Sequence, residues 1–185
     1  MKLVILDRDG VINEDSDDYI KSADEWIPLP GSIAAIARLT QAGYGVVIAT
    51  NQSGIGRGYF QPQDLQVMHR KLVELVEKQG GSIAGIYFCP HRPEDCCDCR
   101  KPAPGLMDAI IADFNLNDLD GIAVVGDSLR DLEAGLARKG TPILVRTGKG
   151  MATEAQLRHQ PSSPLASTLV FDNLSAVANY LTEHL

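Results

Sequence analysis

Leu3-Val4-Ile5-Leu6-Asp7-Arg8-Asp9-Gly10 is the stretch that decides how this chain is read. Four consecutive apolar residues are a strand with no solvent face, the kind found inside a parallel sheet. The strand runs straight into two carboxylates spaced two apart, and alternate residues of an extended segment point the same way. Outward from it the pattern repeats. Ile33, Ile36, Ala37 and Leu39 have helical spacing within residues 31–42, Gly43 ends that helix, and Val46-Val47-Ile48-Ala49 is a second strand entering Thr50-Asn51. Pro62 suits the first turn of another helix, with Leu65, Met68, Leu72, Leu75 and Val76 as its apolar face. A third strand over residues 83–88 ends in a cysteine-rich loop, and residues 105–114 read as helix. Ile122-Ala123-Val124-Val125 is a fourth strand entering Gly126-Asp127-Ser128. A helix over 129–139, a strand over 143–145, loop over most of 148–164, a late strand near 169–171 and a C-terminal helix complete the reading. Strands alternating with helices imply an α/β fold, an open and mostly parallel sheet with helices on both faces. Such a sheet places its site at the carboxyl ends of the strands, where Asp7, Asp9, Thr50, Asn51, Lys101 and Asp127 all fall.

At 185 residues the chain is expected to be a single domain, residues 1–185, with nothing between the strands long enough for a separate cap. Its net charge of −7 weighs against general attraction to nucleic acid. No apolar run approaches the roughly 20 residues of a membrane helix, and the first strand meets Asp7 too soon for a signal peptide. The expectation is a cytoplasmic monomer with a small-molecule substrate and neither a nucleic-acid nor a membrane partner.

The polar residues suit phosphoryl transfer, which needs positioning and charge neutralisation above all. Asp7 and Asp127 can supply carboxylate oxygens to a Mg2+ ion, with the backbone carbonyl of Asp9 as a third ligand. Asp7 is placed to attack phosphorus, and Asp9 to protonate the leaving oxygen and then deprotonate water. Thr50 and Lys101 offer a hydroxyl and a cation to the phosphoryl oxygens, and Asp131, one helical turn after Asp127, is placed to orient Lys101 or the waters of the metal. Alone, Asp-x-Asp-Gly after a strand is commonly a turn; the joint occurrence of all these residues at strand ends is what points to chemistry.

Cys89-Pro90-His91 and Cys97-Asp98-Cys99 form two close ligand pairs, a usual Cys₃His sphere for a structural Zn2+. Cys96 stays open as a substitute for Cys97. Cys99 lies two residues before Lys101, so a pinned loop would hold Arg100 and Lys101 over the site.

In Leu6-Asp7-Arg8-Asp9-Gly10, Ala49-Thr50-Asn51-Gln52, Arg100-Lys101-Pro102 and Gly126-Asp127-Ser128 with Asp131, the chain resembles the haloacid dehalogenase-like phosphatases. The resemblance assigns the nucleophile to Asp7, the acid/base to Asp9, phosphoryl stabilisation to Thr50 and Lys101, and the metal aspartate to Asp127. The cysteine loop and residues 50–60 narrow it to the heptose 1,7-bisphosphate 7-phosphatases, with the histidinol-phosphate phosphatases as relatives. It implies a Mg2+-dependent enzyme that removes the 7-phosphate of D-glycero-D-manno-heptose 1,7-bisphosphate through an aspartyl-phosphate, as a step toward cell-surface heptose. Histidinol-phosphate hydrolysis, polynucleotide 3′-phosphatase activity and a non-catalytic phosphate-binding module are the alternatives. Asp15, Asn51, Gln52, Ser53, Arg57, Arg100 and Ser128 are the candidate substrate contacts. Ser128 stands where some heptose enzymes carry a lysine, and Arg57 and Arg100 are the candidates for a second phosphate. His69, on the second long helix, reads as structural; His159 and His184 have no evident partners.

Overall fold

A computed structural model describes residues 2–183; Met1, His184 and Leu185 lie outside the described residues. Six strands form one parallel sheet in the order β3-β2-β1-β4-β5-β6. They are β1 (Lys2–Leu6), β2 (Tyr44–Asn51), β3 (Gly85–Cys89), β4 (Ala123–Gly126), β5 (Thr141–Val145) and β6 (Leu169–Phe171). Between them run α1 (Ser32–Gln41), the short α2 (Ser53–Gly56), α3 (Pro62–Lys78), α4 (Gly105–Asp113), α5 (Leu129–Leu136), α6 (Gly150–Arg158) and the C-terminal α7 (Leu174–Glu183).

The apolar run in β1 serves two cores at once. Val4 and Leu6 join a cluster with Ile36 and Leu39 of α1, Leu65, Met68 and Leu72 of α3, and Val177 of α7. Leu3 and Ile5 point to the other face, against Leu106, Met107 and Ile110 of α4. In β2, Val46 and Ile48 divide from Val47 and Ala49 in the same way. Period-two alternation with both sets buried is why these strands show no polar face.

The order of strands positions the site. From β1 the chain moves outward through β2 and β3, then returns to β4 on the other flank of β1. The connections diverge there, leaving a crevice at the carboxyl ends of β1 and β4. Asp7 and Asp127 leave those two strands, and the amide of Asp7 still bonds Val125 O at 2.9 Å. Among the described residues no separate cap domain follows; instead the segment after β1 folds on itself, Asn13 bridging both Asp9 and Pro28. Trp26 of that segment is fully buried, and Lys71 Nζ of α3 donates to Ala23 O and Trp26 O at 2.6 and 2.8 Å.

Some expectations are corrected. Residues 148–164 are not mostly loop, since 150–158 form α6. The Gly, Ser and Pro at either end of this stretch hide a middle of good helix formers, Met151-Ala152-Thr153-Glu154-Ala155-Gln156-Leu157-Arg158. Leu157 packs beside Leu132 and Leu144, and Thr153 Oγ1 donates to Asp127 O at 2.8 Å. This helix therefore braces the site. The short α2 lies between the second strand and the helix that starts at Pro62, where no element was expected, and the helix expected over 129–139 stops at Leu136.

Candidate active site

Lys101 is the hub of the crevice. Its side chain is almost wholly buried, and Nζ lies 2.9 Å from Asp7 Oδ1, 2.6 Å from Asp131 Oδ1 and 2.6 Å from Ala49 O. Burial works against its charge, but Asp131 and Asp7 more than offset that and raise its affinity for the proton. Asn51 fixes the Lys101 backbone from both sides, donating Nδ2 to Lys101 O at 3.1 Å and accepting the Lys101 amide on Oδ1 at 3.0 Å. Asp131 closes the arrangement as the N3 residue of α5. Its Oδ2 accepts the Ser128 amide at 3.0 Å and the Ser128 hydroxyl at 2.6 Å, a helix cap that also aims Oδ1 at Lys101.

Asp7, Asp127 and Asp131 bring three carboxylates within 4.8 Å of one another. Burial and the charges of Asp131 and its neighbours push Asp7 up to about 8, despite Lys101. Burial and Asp131 likewise push Asp127 to about 7. Three acids around one lysine leave an excess of negative charge that a hard divalent cation would neutralise. The geometry fits such an ion. Asp7 Oδ1 has no hydrogen-bond donor aligned on it, Lys101 being a charge partner off the bonding direction. Gly10 and Gly148 make room for the Asp127 carboxylate, since a Cβ at either would collide with Oδ2, the oxygen that accepts the Lys149 amide at 2.8 Å.

Asp9 sits in the opposite setting. Its oxygens accept from Arg8 Nε and Nη2 at 3.0 and 2.8 Å, from Asn13 Nδ2 at 2.8 Å and from Gln52 Nε2 at 2.8 Å. Burial alone would raise its pKa, but Arg8, Asn13 and Gln52 hold it below the usual carboxylate range. Gln52 Nε2 also donates to Thr50 Oγ1 at 2.9 Å, tying the ends of β1 and β2 together.

The polar cleft above these groups, about 280 Å³, is lined by Asp7, Asp9, Asp15, Thr50, Asn51, Gln52, Ser53, Arg100, Lys101, Asp127 and Ser128. Arg57 is the exception among the expected contacts. It lies at the end of α2, outside the cleft lining, and pairs with Glu94 at 3.7 Å. Two cations unmarked in the sequence reading, Arg130 and Lys149, line the cleft instead. Burial and the nearby charge of Arg130 both lower the pKa of Arg100, so the two guanidiniums share one region. Lys149 is partly neutralised, with Nζ 3.2 Å from Asp15 and 3.9 Å from Asp17.

The haloacid dehalogenase-like hydrolase family model matches residues 2–137, and a second HAD-hydrolase-like model matches residues 98–177. The chain belongs to the haloacid dehalogenase-like hydrolases. Among curated members, D-glycero-beta-D-manno-heptose-1,7-bisphosphate 7-phosphatase of Pseudomonas aeruginosa is 56% identical over 182 residues, covering 98% of each chain. The enzyme of the same name from Neisseria meningitidis serogroup A is 54% identical, over 99% of this chain and 96% of its own. The D,D-heptose 1,7-bisphosphate phosphatase of B. bronchiseptica, crystallised with magnesium and phosphate, matches with a TM-score of 0.93 and 49% identity over 100% of both chains.

This haloacid dehalogenase-like hydrolase carries a second cluster beside the cleft. Cys89, His91, Cys97 and Cys99 converge, with Sγ–Sγ distances of 3.0, 3.5 and 3.6 Å and His91 Nδ1 within 3.3 Å of Cys99 and 3.6 Å of Cys89. Two sulfurs bound tetrahedrally to one zinc ion stand about 3.7 Å apart, so the donor set suits that ion and two of the three sulfur separations come close to it, the Cys89–Cys99 pair lying nearer together. Cys96 is outside the cluster; it is exposed, with Sγ 3.9 Å from Pro93 O. Cys97, not Cys96, is the cysteine that lies with the other three residues.

Proposed function

We propose that this protein hydrolyses the 7-phosphate of D-glycero-β-D-manno-heptose 1,7-bisphosphate through an aspartyl-phosphate on Asp7, with magnesium at Asp7, the Asp9 carbonyl and Asp127, and structural zinc at Cys89, His91, Cys97 and Cys99. The observation that carries this reading is full-length likeness to enzymes of that name, joined to a cleft lined by Asp7 and by two arginines, Arg100 and Arg130. An Asp7 oxygen forms its bond to phosphorus as the bond from phosphorus to the sugar oxygen breaks. Asp9 gives that oxygen its proton, then takes one from the water whose oxygen displaces Asp7. The incoming phosphoryl group, an anion beside Asp9, raises its affinity for the proton it must carry. Lys101 and Thr50 donate to the non-bridging oxygens, while Asp131 keeps Lys101 aimed. Magnesium, when bound, supplies the positive charge that offsets repulsion between Asp7 and the phosphate.

The second phosphate of the substrate calls for guanidinium donors at the mouth of the cleft. Arg100 and Arg130 meet that need, and Arg130 takes the place left by the serine at 128. Asp15, with Ser53 and the acidic segment that follows Asp15, offers acceptors for the sugar hydroxyls.

The test is kcat/KM with magnesium on the β and α anomers of the bisphosphate and on histidinol phosphate. A preference of about a hundredfold or more for the β heptose is expected, roughly 2.7 kcal/mol of differential transition-state binding. Preference for histidinol phosphate, or equal slow turnover of all three, would overturn the substrate assignment and leave the hydrolytic chemistry standing.

A further inference from the structure

Two residues beside Asp9 take no part in the chemistry above. Arg8 is wholly buried, and His69 approaches it from α3. Arg8 Nε and Nη2 grip the Asp9 carboxylate, while Nη1 lies 3.4 Å from His69 Nε2. A guanidinium can only donate, so His69 Nε2 is the acceptor and its imidazole is neutral with the proton on Nδ1. Burial and the charge of Arg8 favour the same form, lowering the His69 pKa to about 4. The ring is held in turn by Phe88 of β3, edge to face with centroids 6.2 Å apart.

We infer that His69 is a positioning residue for the acid–base carboxylate, acting through Arg8. The inference rests on the reading that Asp9 serves the leaving oxygen. The guanidinium is a rigid planar fork. With Asp9 on one side and His69 at Nη1, both its plane and its rotation are set. Without an acceptor at 69, Arg8 Nη1 becomes a buried donor in search of a partner, and buried unsatisfied donors are costly. The fork turns, and its grip on Asp9 turns with it. A catalytic group displaced by about 1 Å loses on the order of a hundredfold in rate. A histidine that only filled space would not require this tautomer or this partner.

The test compares two leaving groups on the full chain with magnesium present. A sugar alkoxide needs the proton of Asp9; p-nitrophenolate leaves without one. H69F keeps the ring and its contact with Phe88 but removes the acceptor, whereas H69Q supplies an amide oxygen in its place. Expected for H69F is a kcat on the sugar bisphosphate down by about tenfold or more, with KM within about threefold. Its single-turnover release of p-nitrophenolate stays within about threefold of the parent, and H69Q recovers most of the lost sugar turnover. Melting temperatures are read throughout, and H69L repeats the comparison with a smaller side chain. Unchanged sugar turnover in H69F and H69L, or an equal fall on both substrates that follows the loss of stability, overturns the role of His69. D9N separates this from the reading beneath it. If D9N keeps full sugar turnover, Asp9 is not the acid; if D9N loses it and the His69 variants do not, only the positioning role fails.

Discussion

Asp7 and Asp9 stand two residues apart in opposite electrostatic settings. Asp7 is crowded by acids and pushed up to about 8, whereas Asp9 is surrounded by nitrogen donors and held low. Neither setting alone is the working one: a bound magnesium ion would bring Asp7 down to the ionised form an attacking carboxylate needs, and an incoming phosphate anion would raise Asp9 toward the protonated form a general acid needs. An Asp7→Asn variant should lose turnover by at least about a thousandfold, since its amide cannot form the acyl phosphate. It should keep zinc by metal analysis, and surviving activity would remove the covalent step. At the mouth of the cleft, R130A should raise KM for the bisphosphate by about 10- to 100-fold, the worth of a charge-assisted hydrogen bond, with little effect on a heptose 7-monophosphate. An equal rise on both substrates would place Arg130 outside second-phosphate recognition. Asp7, Asp9, Thr50, Lys101 and Asp127 were legible in the sequence because each polar residue follows a strand or lies in a loop at the carboxyl edge. Arg130 and Lys149 were not, because nothing periodic marks them. One signal was available for Arg130. A cation in the first turn of α5 opposes the helix dipole, so an anion is a reason for it to stand there. Arg57 looked equivalent on paper, but the end of α2 carries it to Glu94.

At the level of elements, strand identity was readable and helix α6 was not. Consecutive apolar residues mark a strand buried on both faces, whereas flanking Gly, Ser and Pro mask a short helix held by tertiary contacts. Glu154 supplies one of those contacts, with Arg146 Nε at 2.7 Å, and an i,i+4 pair within the helix, with Arg158 Nη2 at 2.6 Å. The bond from Arg146, with Arg158 adding to it against burial, lowers its pKa from 4.5 to about 2. A carboxylate depressed in the folded state binds its proton more weakly there than in the unfolded chain. The stability it contributes is fully present above about pH 4.5 and is lost as the pH falls through about 2. Urea midpoints measured across that window should fall less steeply in E154Q than in the parent. Identical slopes would mean that the arginines stabilise α6 without regard to the charge of Glu154. Because Thr153 of the same helix bonds Asp127 O, loosening α6 should also weaken magnesium binding.

For the whole molecule, the carboxyl edge carries the two candidate metal stations on different strands. Asp7 and Asp127 close β1 and β4 at the centre of the sheet, while Cys89 closes the edge strand β3. Cys89 is also buried in the core beside Leu106 and Met107, and Cys99 leads into Arg100 and Lys101. The two ions should therefore be separable by what their loss does. Withdrawal of magnesium should stop turnover reversibly, because the carboxylate cluster is held by β1, β4 and α5. Loss of zinc should act on structure as well, since four ligands drawn from residues 89–99 would lose their common centre. Purified protein should contain about one zinc per chain. C97S should lower Tm by about 4–8 °C, what ~2 kcal/mol amounts to in a domain of this size, and reduce kcat through displaced Arg100 and Lys101. C96S should change neither, because Cys96 faces away from the cluster. Folded, active protein without zinc would mean that packing around Cys89 alone holds the loop, and the resemblance of the four ligands to a zinc sphere would then carry no structural weight.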